Sequence, residues 1–93
     1  MVNAVIWKFP VPIRGDNRPN VVTMPIGAVI LSAGVQQDQI FVWAKCDPMA
    51  KTEPRHLRAV MTGEPFDDEG MTFIATVHPY SGQIVAHVFE VKP

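Results

Sequence analysis

The chain has 93 residues, of which 47% are hydrophobic and 18% are charged, and its formal net charge is −1. A chain of this length and composition is expected to fold as one globular domain over residues 1–93, which excludes extensive disorder. The near-neutral charge provides no overall field to attract nucleic acid or an anionic membrane, so we expect neither as a partner.

The single cysteine and the N-terminal sequence indicate a cytoplasmic protein. Cys46 is the only cysteine, so no intramolecular disulfide can form and a reducing setting is favoured. The first residues lack the charged start and the apolar core of a secretory signal. No apolar run reaches the roughly 18 residues that a membrane-spanning helix needs.

The first quarter of the chain predicts a strand, a loop and a second strand. Ala4–Phe9 is β-branched and aromatic and stops at Pro10, which indicates a strand at a sheet edge. Residues 14–20 are rich in Gly, Asp, Asn and Pro and predict a loop. Val21–Met24 follows as a short strand.

The stretch Gly27–Cys46 predicts the central β-hairpin of the fold. Its strands, Ala28–Val35 and Ile40–Cys46, flank the polar connection Gln36–Gln39. Strict alternation places four apolar residues of the first strand on one face and Ile30 on the other. These four residues are Val29, Leu31, Ala33 and Val35.

The second strand of the hairpin is also apolar on both sides. Ile40, Val42 and Ala44 oppose Phe41 and Trp43. An antiparallel sheet usually leaves one face to water, so two apolar faces imply a second layer of structure, a partner or a ligand groove. We therefore expect self-association, most simply as an isologous homodimer.

The second half of the chain predicts three more strands. Arg55–Thr62 alternates between apolar and polar residues, and a strand is favoured there over a short helix. An acidic loop, Gly63–Gly70, precedes a hairpin formed by Met71–His78 and Gln83–Val91. The predicted fold is therefore an all-β domain of six or seven short strands, either an antiparallel sandwich or a small barrel.

No motif in the sequence predicts catalysis or a cofactor. His56, His78 and His87 lie at no metal-ligand spacing, and no phosphate-binding glycine motif follows a strand. Cys46 is expected to be a buried structural thiol. The acidic run Asp67–Glu69 is expected to be a solvated loop rather than a calcium site. We expect no metal, no cofactor and no enzymatic activity.

The candidate binding residues are a tryptophan and several cationic or histidine side chains. Such residues carry much of the energy of protein interfaces, and with stacking they can also hold bases or phosphates. The alternative for each is an ordinary solvated side chain. The candidates are Trp7, Lys8, Arg14, Arg18, His56 and Arg58. His56 and Arg58 are expected on one face of the same strand.

Four short motifs are spread over nearly the whole chain. They are Trp7-Lys8-Phe9-Pro10, Met24-Pro25-x-Gly27-Ala28, Trp43-Ala44 and His87-Val88-Phe89-Glu90. With these motifs the chain resembles a family of small uncharacterised proteins from bacteriophage and prophage genomes. The family has no assigned activity, so the resemblance assigns no catalytic role to any position.

The resemblance implies a phage accessory protein in the host cytoplasm. By analogy with other small phage proteins, it implies inhibition of a host defence component, such as a CRISPR effector, by protein–protein occlusion. One alternative is a sponge for a small nucleotide signal, in which Trp or His stacks on the base and Arg pairs with phosphate. Another alternative is a minor structural protein of the virion.

Overall fold

The computed structural model describes residues 3–93, and it contains seven strands. The strands are β1 (Val5–Pro10), β2 (Asn20–Pro25), β3 (Val29–Gln36), β4 (Gln39–Cys46), β5 (Thr52–Met61), β6 (Met71–Val77) and β7 (Ala86–Val91). Residues 3–93 contain no helix, so this range also has no helix of the length and apolarity needed to cross a membrane. The all-β prediction is confirmed.

The strands form two antiparallel sheets in a sandwich-like arrangement. The three-stranded sheet has the order β1-β4-β3, and the four-stranded sheet has the order β2-β5-β7-β6. Strand β3 of one sheet packs against β6 of the other. The predicted antiparallel architecture and strand number are therefore confirmed.

The hydrophobic core lies between the two sheets, and both sheets contribute to it. Its fully buried members of largest volume include Met24 and Leu57 from the four-stranded sheet and Val42 from the three-stranded sheet. The remaining core residues are Val11, Val22, Ala28, Ile40, Ala44, Cys46, Ala59, Val77, Ala86 and Val88. Burial of this apolar surface is the main force that holds the sheets together.

The central hairpin has the connection that the sequence predicts. Gln37 and Asp38 have φ values of 52° and 62°, and a type I′ turn requires positive φ at both central residues. This turn has the twist that matches two antiparallel strands, so β3 and β4 are directly paired through it. The predicted edge strand that stops at Pro10 is also confirmed, since β1 is the outer strand of its sheet.

The face assignment within β3 was wrong because a β-bulge interrupts the alternation. The pairing passes from Ile30 opposite Ala44 to Ser32 opposite Trp43, which leaves Leu31 as an extra residue. An extra residue shifts every later side chain to the other face. Ile30 therefore packs against the core together with Ala33 and Val35, whereas Val29 and Leu31 are exposed.

Strand β5 confirms the predicted strand at Arg55–Thr62 but begins earlier, at Thr52. It therefore includes Pro54, a residue that cannot donate a ladder hydrogen bond. The first four residues of β5 pair only with β2, and pairing with β7 begins at His56. Pro54 is tolerated because the strand has a single neighbour there.

Strand β7 begins three residues later than predicted, at Ala86 instead of Gln83. The turn before it occupies those residues. Tyr80 and Ser81 both have positive φ, and the amide of Gln83 donates to the carbonyl of Tyr80. The amide of Gly82 similarly donates to Pro79.

Candidate functional site

The outer side of the three-stranded sheet exposes an aromatic surface to solvent. Val42 and Ala44 of β4 are buried in the core, so the residues that alternate with them point outward. The register places the following residues on this side, which we call the aromatic face: Ile6, Lys8, Pro10, Val29, Ser32, Gly34, Gln36, Gln39, Phe41, Trp43 and Lys45. The face contains two lysines and no acidic residue.

Trp43 lies flat on this sheet because Gly34 leaves room for it. A Cβ atom added at Gly34 would lie 3.2 Å from Cζ3 of Trp43, which is a tight contact. The indole therefore extends across the backbone of β3. The ring of Phe41 is next to it, with ring centroids 6.3 Å apart and an angle of 57° between the planes. Trp43 is thus a positioned, partly exposed ring at the centre of the face.

Lys8 is also held in place on the aromatic face. Its ammonium group lies 4.6 Å from the centroid of Phe41, within the range of a cation–π interaction. The same nitrogen donates a hydrogen bond of 2.7 Å to Oε1 of Gln36. Lys8 is the direct cross-strand neighbour of Trp43, and Lys45 is exposed between Ile6 and Val29.

Trp7 lies on the opposite side of β1 from Lys8. Its cross-strand neighbour is Ala44 of the core, but the edge position leaves 42% of Trp7 exposed. The two adjacent candidate residues therefore do not form one site. Lys8 belongs to the aromatic face, and Trp7 belongs to the open edge of the sandwich.

Arg14 is engaged within its own loop. Its Nε and Nη2 donate to the carboxylate of Asp16 at 2.9 and 2.6 Å. Hydrogen bonds from Arg14 and from the backbone amide of Arg18 hold the pKa of the Asp16 carboxyl well below its usual range. The loop is attached to the sheet by buried Asn20, whose side-chain amide donates to the carbonyls of Pro12 and Leu57.

His56 and Arg58 share the outer side of the four-stranded sheet, as their spacing predicts. Nη2 of Arg58 donates to Oε2 of Glu64 at 2.9 Å and to Oδ1 of Asn17 at 3.3 Å. Arg58 thus joins the Arg14–Arg18 loop to the acidic loop. Nδ1 of His56 is buried and has no hydrogen-bond partner within residues 3–93.

The six candidate residues therefore divide between different parts of the molecule. Lys8 lies on the aromatic face and Trp7 at the neighbouring edge. The other four lie on the four-stranded sheet or in the adjoining loop. They are Arg14, Arg18, His56 and Arg58.

The acidic loop packs on part of the outer side of the four-stranded sheet. Phe66, from the acidic loop, packs on Phe89 with ring centroids 5.5 Å apart. Phe73, the cross-strand neighbour of Phe89, lies edge-on to it with ring centroids 5.6 Å apart. Val60 is also buried, although it belongs to the outer side of β5.

A depression of about 310 Å³ beside the ends of β5 and β7 offers little to an anionic ligand. Its lining includes Arg55, Lys92, Glu53 and Glu90, two cations and two carboxylates. Nε and Nη2 of Arg55 already bind Glu90, at 2.5 and 2.9 Å, and Nη1 donates to the carbonyl of Ala28. A phosphate would have to displace Glu90, because the guanidinium is already paired with a carboxylate.

The remaining groups with chemical potential have structural surroundings. Within residues 3–93, no three His, Cys, Asp or Glu side chains are grouped so that they could hold a metal ion. Cys46 is fully buried, and this burial raises the pKa of its thiol. The ring nitrogens of His87 lie 2.7 Å from Oγ1 of Thr62 and 2.9 Å from Oγ1 of Thr76.

Sequence reasoning missed Trp43, Phe41, Lys45 and Gly34 as site residues. The available signal was the second apolar face of the hairpin, on which Phe41 and Trp43 oppose the core residues. That signal predicted a covered surface but did not select its members. The contact between Gly34 and Trp43 depends on the register between two strands and on the bulge at Leu31.

Comparison with known proteins gives one family. Residues 2–93 match the family described as a domain of unknown function, DUF7352. No curated protein matches the chain, and no solved structure matches it.

Proposed function

The chain belongs to the DUF7352 family, and we propose that it is a non-enzymatic binding module that docks on an acidic protein surface through the aromatic face. The observation that carries this proposal is the partly exposed indole of Trp43 between two lysines, on a sheet side that the described chain leaves uncovered. Tryptophan at the centre of a patch is the residue most enriched among interface hot spots.

The geometry of the face favours a protein as its occupant. Gly34 and Phe41 fix Trp43 before binding, so little side-chain entropy is lost when a partner covers it. Exposed Ile6 and Val29 extend the apolar area on both sides of Lys45. An apolar centre with a charged rim is the usual anatomy of a protein interface.

The charge of the face indicates the sign of the partner. The chain as a whole has a net charge of −1, yet the aromatic face contains Lys8 and Lys45 and no acidic residue. Complementary charge speeds association and selects the partner. Stacking two copies face to face would bring four ammonium groups together, so an acidic partner fits this face better than a second copy.

The more specific proposal is that this partner is a host defence component, such as a CRISPR effector, blocked by occlusion in the host cytoplasm. Its support is the sequence resemblance to phage and prophage proteins. Occlusion requires only a surface of the right shape and charge, which agrees with the lack of any predicted catalytic motif. The nucleotide sponge is less favoured because the guanidinium groups of Arg14 and Arg55 are already paired with carboxylates.

The proposal is tested by capture from a bacterial lysate with three tagged variants beside the wild type. Trp43→Ala removes the indole, and Lys45→Glu reverses a charge on the face. Phe73→Ala is the matched control, because Phe73 is an aromatic residue that is 56% exposed on the other sheet. Circular dichroism verifies that each variant is folded.

The expected result is one stoichiometric acidic polypeptide that the wild type and Phe73→Ala retain. Trp43→Ala should lose at least about tenfold in affinity, as for a hot-spot truncation of 1.4 kcal/mol or more. Lys45→Glu should slow association, with an effect that shrinks as salt rises. A partner bound equally by all four proteins would overturn the proposal, as would nucleic acid recovered in place of a polypeptide.

A further inference from the structure

The free edge of β1 presents unpaired backbone groups. Strand β1 has one strand neighbour, β4, and no second strand pairs with it among residues 3–93. Two large apolar side chains flank this edge, Ile6 at 61% exposure and Trp7 at 42%. An exposed edge with apolar side chains is a template for pairing with another strand.

The direction of each backbone group along β1 follows from one hydrogen bond. The amide of Val11 donates to the carbonyl of Ile40, at 2.9 Å, just beyond the end of β1. Backbone groups of alternate residues point to the same side in an antiparallel ladder. The groups of Val5, Trp7 and Phe9 therefore point towards β4, and those of Ile6 and Lys8 point outward.

Pro10 limits how far the free edge can pair. Its missing N–H falls in the outward series that contains Ile6 and Lys8, so it ends the donor pattern on this side. A second antiparallel strand can thus use both donors and acceptors only as far as Lys8. Proline at this position is a common way to restrict edge pairing.

The remaining edge is complementary to itself in one register. A two-fold axis through Trp7 pairs Ile6 of one copy with Lys8 of the other, twice. Each of these is a hydrogen-bonded pair that exchanges two bonds, which gives four bonds between the chains. Trp7 then faces Trp7 of the second copy as a non-hydrogen-bonded pair, with Cα atoms about 4.5 Å apart.

The two neighbouring registers, with the two-fold axis through Lys8 or through Ile6, are expected to be less stable. An axis through Lys8 sets the two Lys8 side chains opposite each other and puts Pro10 opposite Ile6. Like charges directly opposite each other destabilise a strand pair. An axis through Ile6 places Lys8 opposite Ala4, which lies before the first residue of β1.

We propose that the chain forms a two-fold symmetric homodimer through antiparallel pairing of β1 with β1 of a second copy, centred on Trp7. The two three-stranded sheets then become one continuous six-stranded sheet. The axis is perpendicular to this sheet, so both aromatic faces point to the same side. The pairing differs from face-to-face stacking because it leaves Trp43 free.

The dimer also enlarges the docking surface, a consequence that rests on the proposed function. Three strands of up to eight residues cover about 14 Å by about 26 Å, or roughly 360 Å² of flat sheet. A standard protein interface buries about 800 Å² on each partner. Two aromatic faces side by side come close to this size, whereas one face provides less than half of it.

Disulfide trapping tests the register on the purified protein. In a Cys46→Ala background, Trp7→Cys should form a covalent dimer under mild oxidation, because the proposed Cα separation of about 4.5 Å lies within disulfide range. Ile6→Cys alone and Lys8→Cys alone should stay monomeric on denaturing gels, since each is about 8 Å from its own copy. A mixture of these two variants should form the mixed disulfide.

Each result of the trapping experiment decides the proposal. Cross-linking of Lys8→Cys alone or Ile6→Cys alone, without the mixed species, would indicate another register and overturn it. The mixed pair retains Trp7, so it remains informative if Trp7→Cys fails to fold. If neither expected dimer forms and the wild type scatters light as a monomer at about 100 μM, the pairing is absent.

A proline variant gives an independent test that needs no cysteine. Ile6→Pro removes an outward N–H without touching the bonds to β4, so it should yield a folded monomer by light scattering and circular dichroism. A folded Ile6→Pro dimer as stable as the wild-type dimer would contradict the pairing. These measurements use no partner, so failure of the dimer is distinguishable from failure of the docking proposal.

Discussion

The outer sides of the two sheets both contain aromatic clusters, but within residues 3–93 a loop packs on only one of them. On the four-stranded sheet, the chain folds the acidic loop back so that Phe66 packs on Phe89, and the Arg58–Glu64 pair holds the loop. On the three-stranded sheet, Phe41 and Trp43 face outward next to each other, and the ammonium group of Lys8 lies over the ring of Phe41.

This difference separates aromatic residues that stabilise the fold from those available for binding. Phe89 packs against both Phe66 and Phe73 of its own chain, so its contacts contribute to the free energy of unfolding. Trp43 packs against Gly34 and Phe41 of its own sheet and stays partly exposed. An aromatic group kept uncovered carries a hydration cost, and burial against a partner removes that cost.

Replacing Phe89 or Trp43 by alanine should give the largest difference in the free energy of unfolding. Phe89→Ala should destabilise the protein by about 2 to 3 kcal/mol, because it removes the ring that both Phe66 and Phe73 contact. Trp43→Ala should cost less, about 1 to 2 kcal/mol, because the partly exposed indole packs on its own sheet and no loop ring packs on it as Phe66 packs on Phe89. Urea unfolding followed by circular dichroism measures both. Equal losses of stability would show that the aromatic face is a structural element like its counterpart.

Loss of the Arg58–Glu64 ion pair, which holds the acidic loop, should have the next largest effect on the free energy of unfolding. Arg58 and Glu64 have side-chain exposures of 12% and 25%, so solvent screens their interaction only in part. Arg58→Met keeps the aliphatic stem and should cost about 1 to 2 kcal/mol, since the Glu64 carboxylate loses its cation. Hydrogen exchange should also accelerate across the loop.

Arg14→Met is the matched control for this ion pair. The pair between Arg14 and Asp16 is exposed at both partners, and exposed pairs contribute little. Its removal should leave the urea midpoint unchanged. If Arg58→Met also leaves the urea midpoint unchanged, then the Phe66–Phe89 contact holds the loop and the Arg58–Glu64 ion pair does not.

The strands could be predicted from sequence because local signals determine them. The Gln36–Gln39 connection and the β-branched runs beside it gave the central hairpin, and Pro10 marked the end of β1. The bulge at Leu31 could not be predicted, since it depends on how β3 packs against β6 of the other sheet. The start of β5 before Pro54 likewise depends on which neighbour each residue has.

The candidate site was only partly predictable for the same reason. The second apolar face of the hairpin indicated that something should cover it, and Lys8 was selected for its residue type. The choice of Arg14 could not account for its pairing with Asp16, which is set by the loop conformation. Residue type indicates what a side chain can bind, whereas the fold determines whether its own chain already binds it.

The contact between Gly34 and Trp43 should affect the position of the indole more than the free energy of unfolding of the protein. Gly34→Ala places a methyl group 3.2 Å from the indole, and the partly exposed indole should shift by a few tenths of an ångström to relieve the contact. We expect stability to change by less than about 1 kcal/mol, since alanine also favours the strand backbone over glycine. In a Trp7→Phe background, the fluorescence of Trp43 should shift to longer wavelength, and partner capture should weaken.

Ser32→Ala is the control for that substitution, because Ser32 is the cross-strand neighbour of Trp43 on the same face. It should leave both the emission maximum and partner capture unchanged. An unchanged spectrum in Gly34→Ala would mean that the indole is not seated against Gly34. The stacked position of Trp43 would then not be the feature that prepares it for a partner.

Alkylation of Cys46 should show that the inner side of the three-stranded sheet is inaccessible to reagents, although its outer side is exposed to solvent. Its thiol is buried at the end of β4, so alkylation should be slow in the native protein and fast in urea. Burial raises the pKa above the ordinary value of 9.0, so the fold favours the protonated thiol. This contribution is complete below pH 9.0 and is lost as the pH rises towards the folded-state pKa. Cys46→Ala should therefore lose less stability than the wild type between pH 8 and about pH 10. Fast alkylation of the native thiol would mean that both sides of this sheet are open, and the contrast between its two faces would fail.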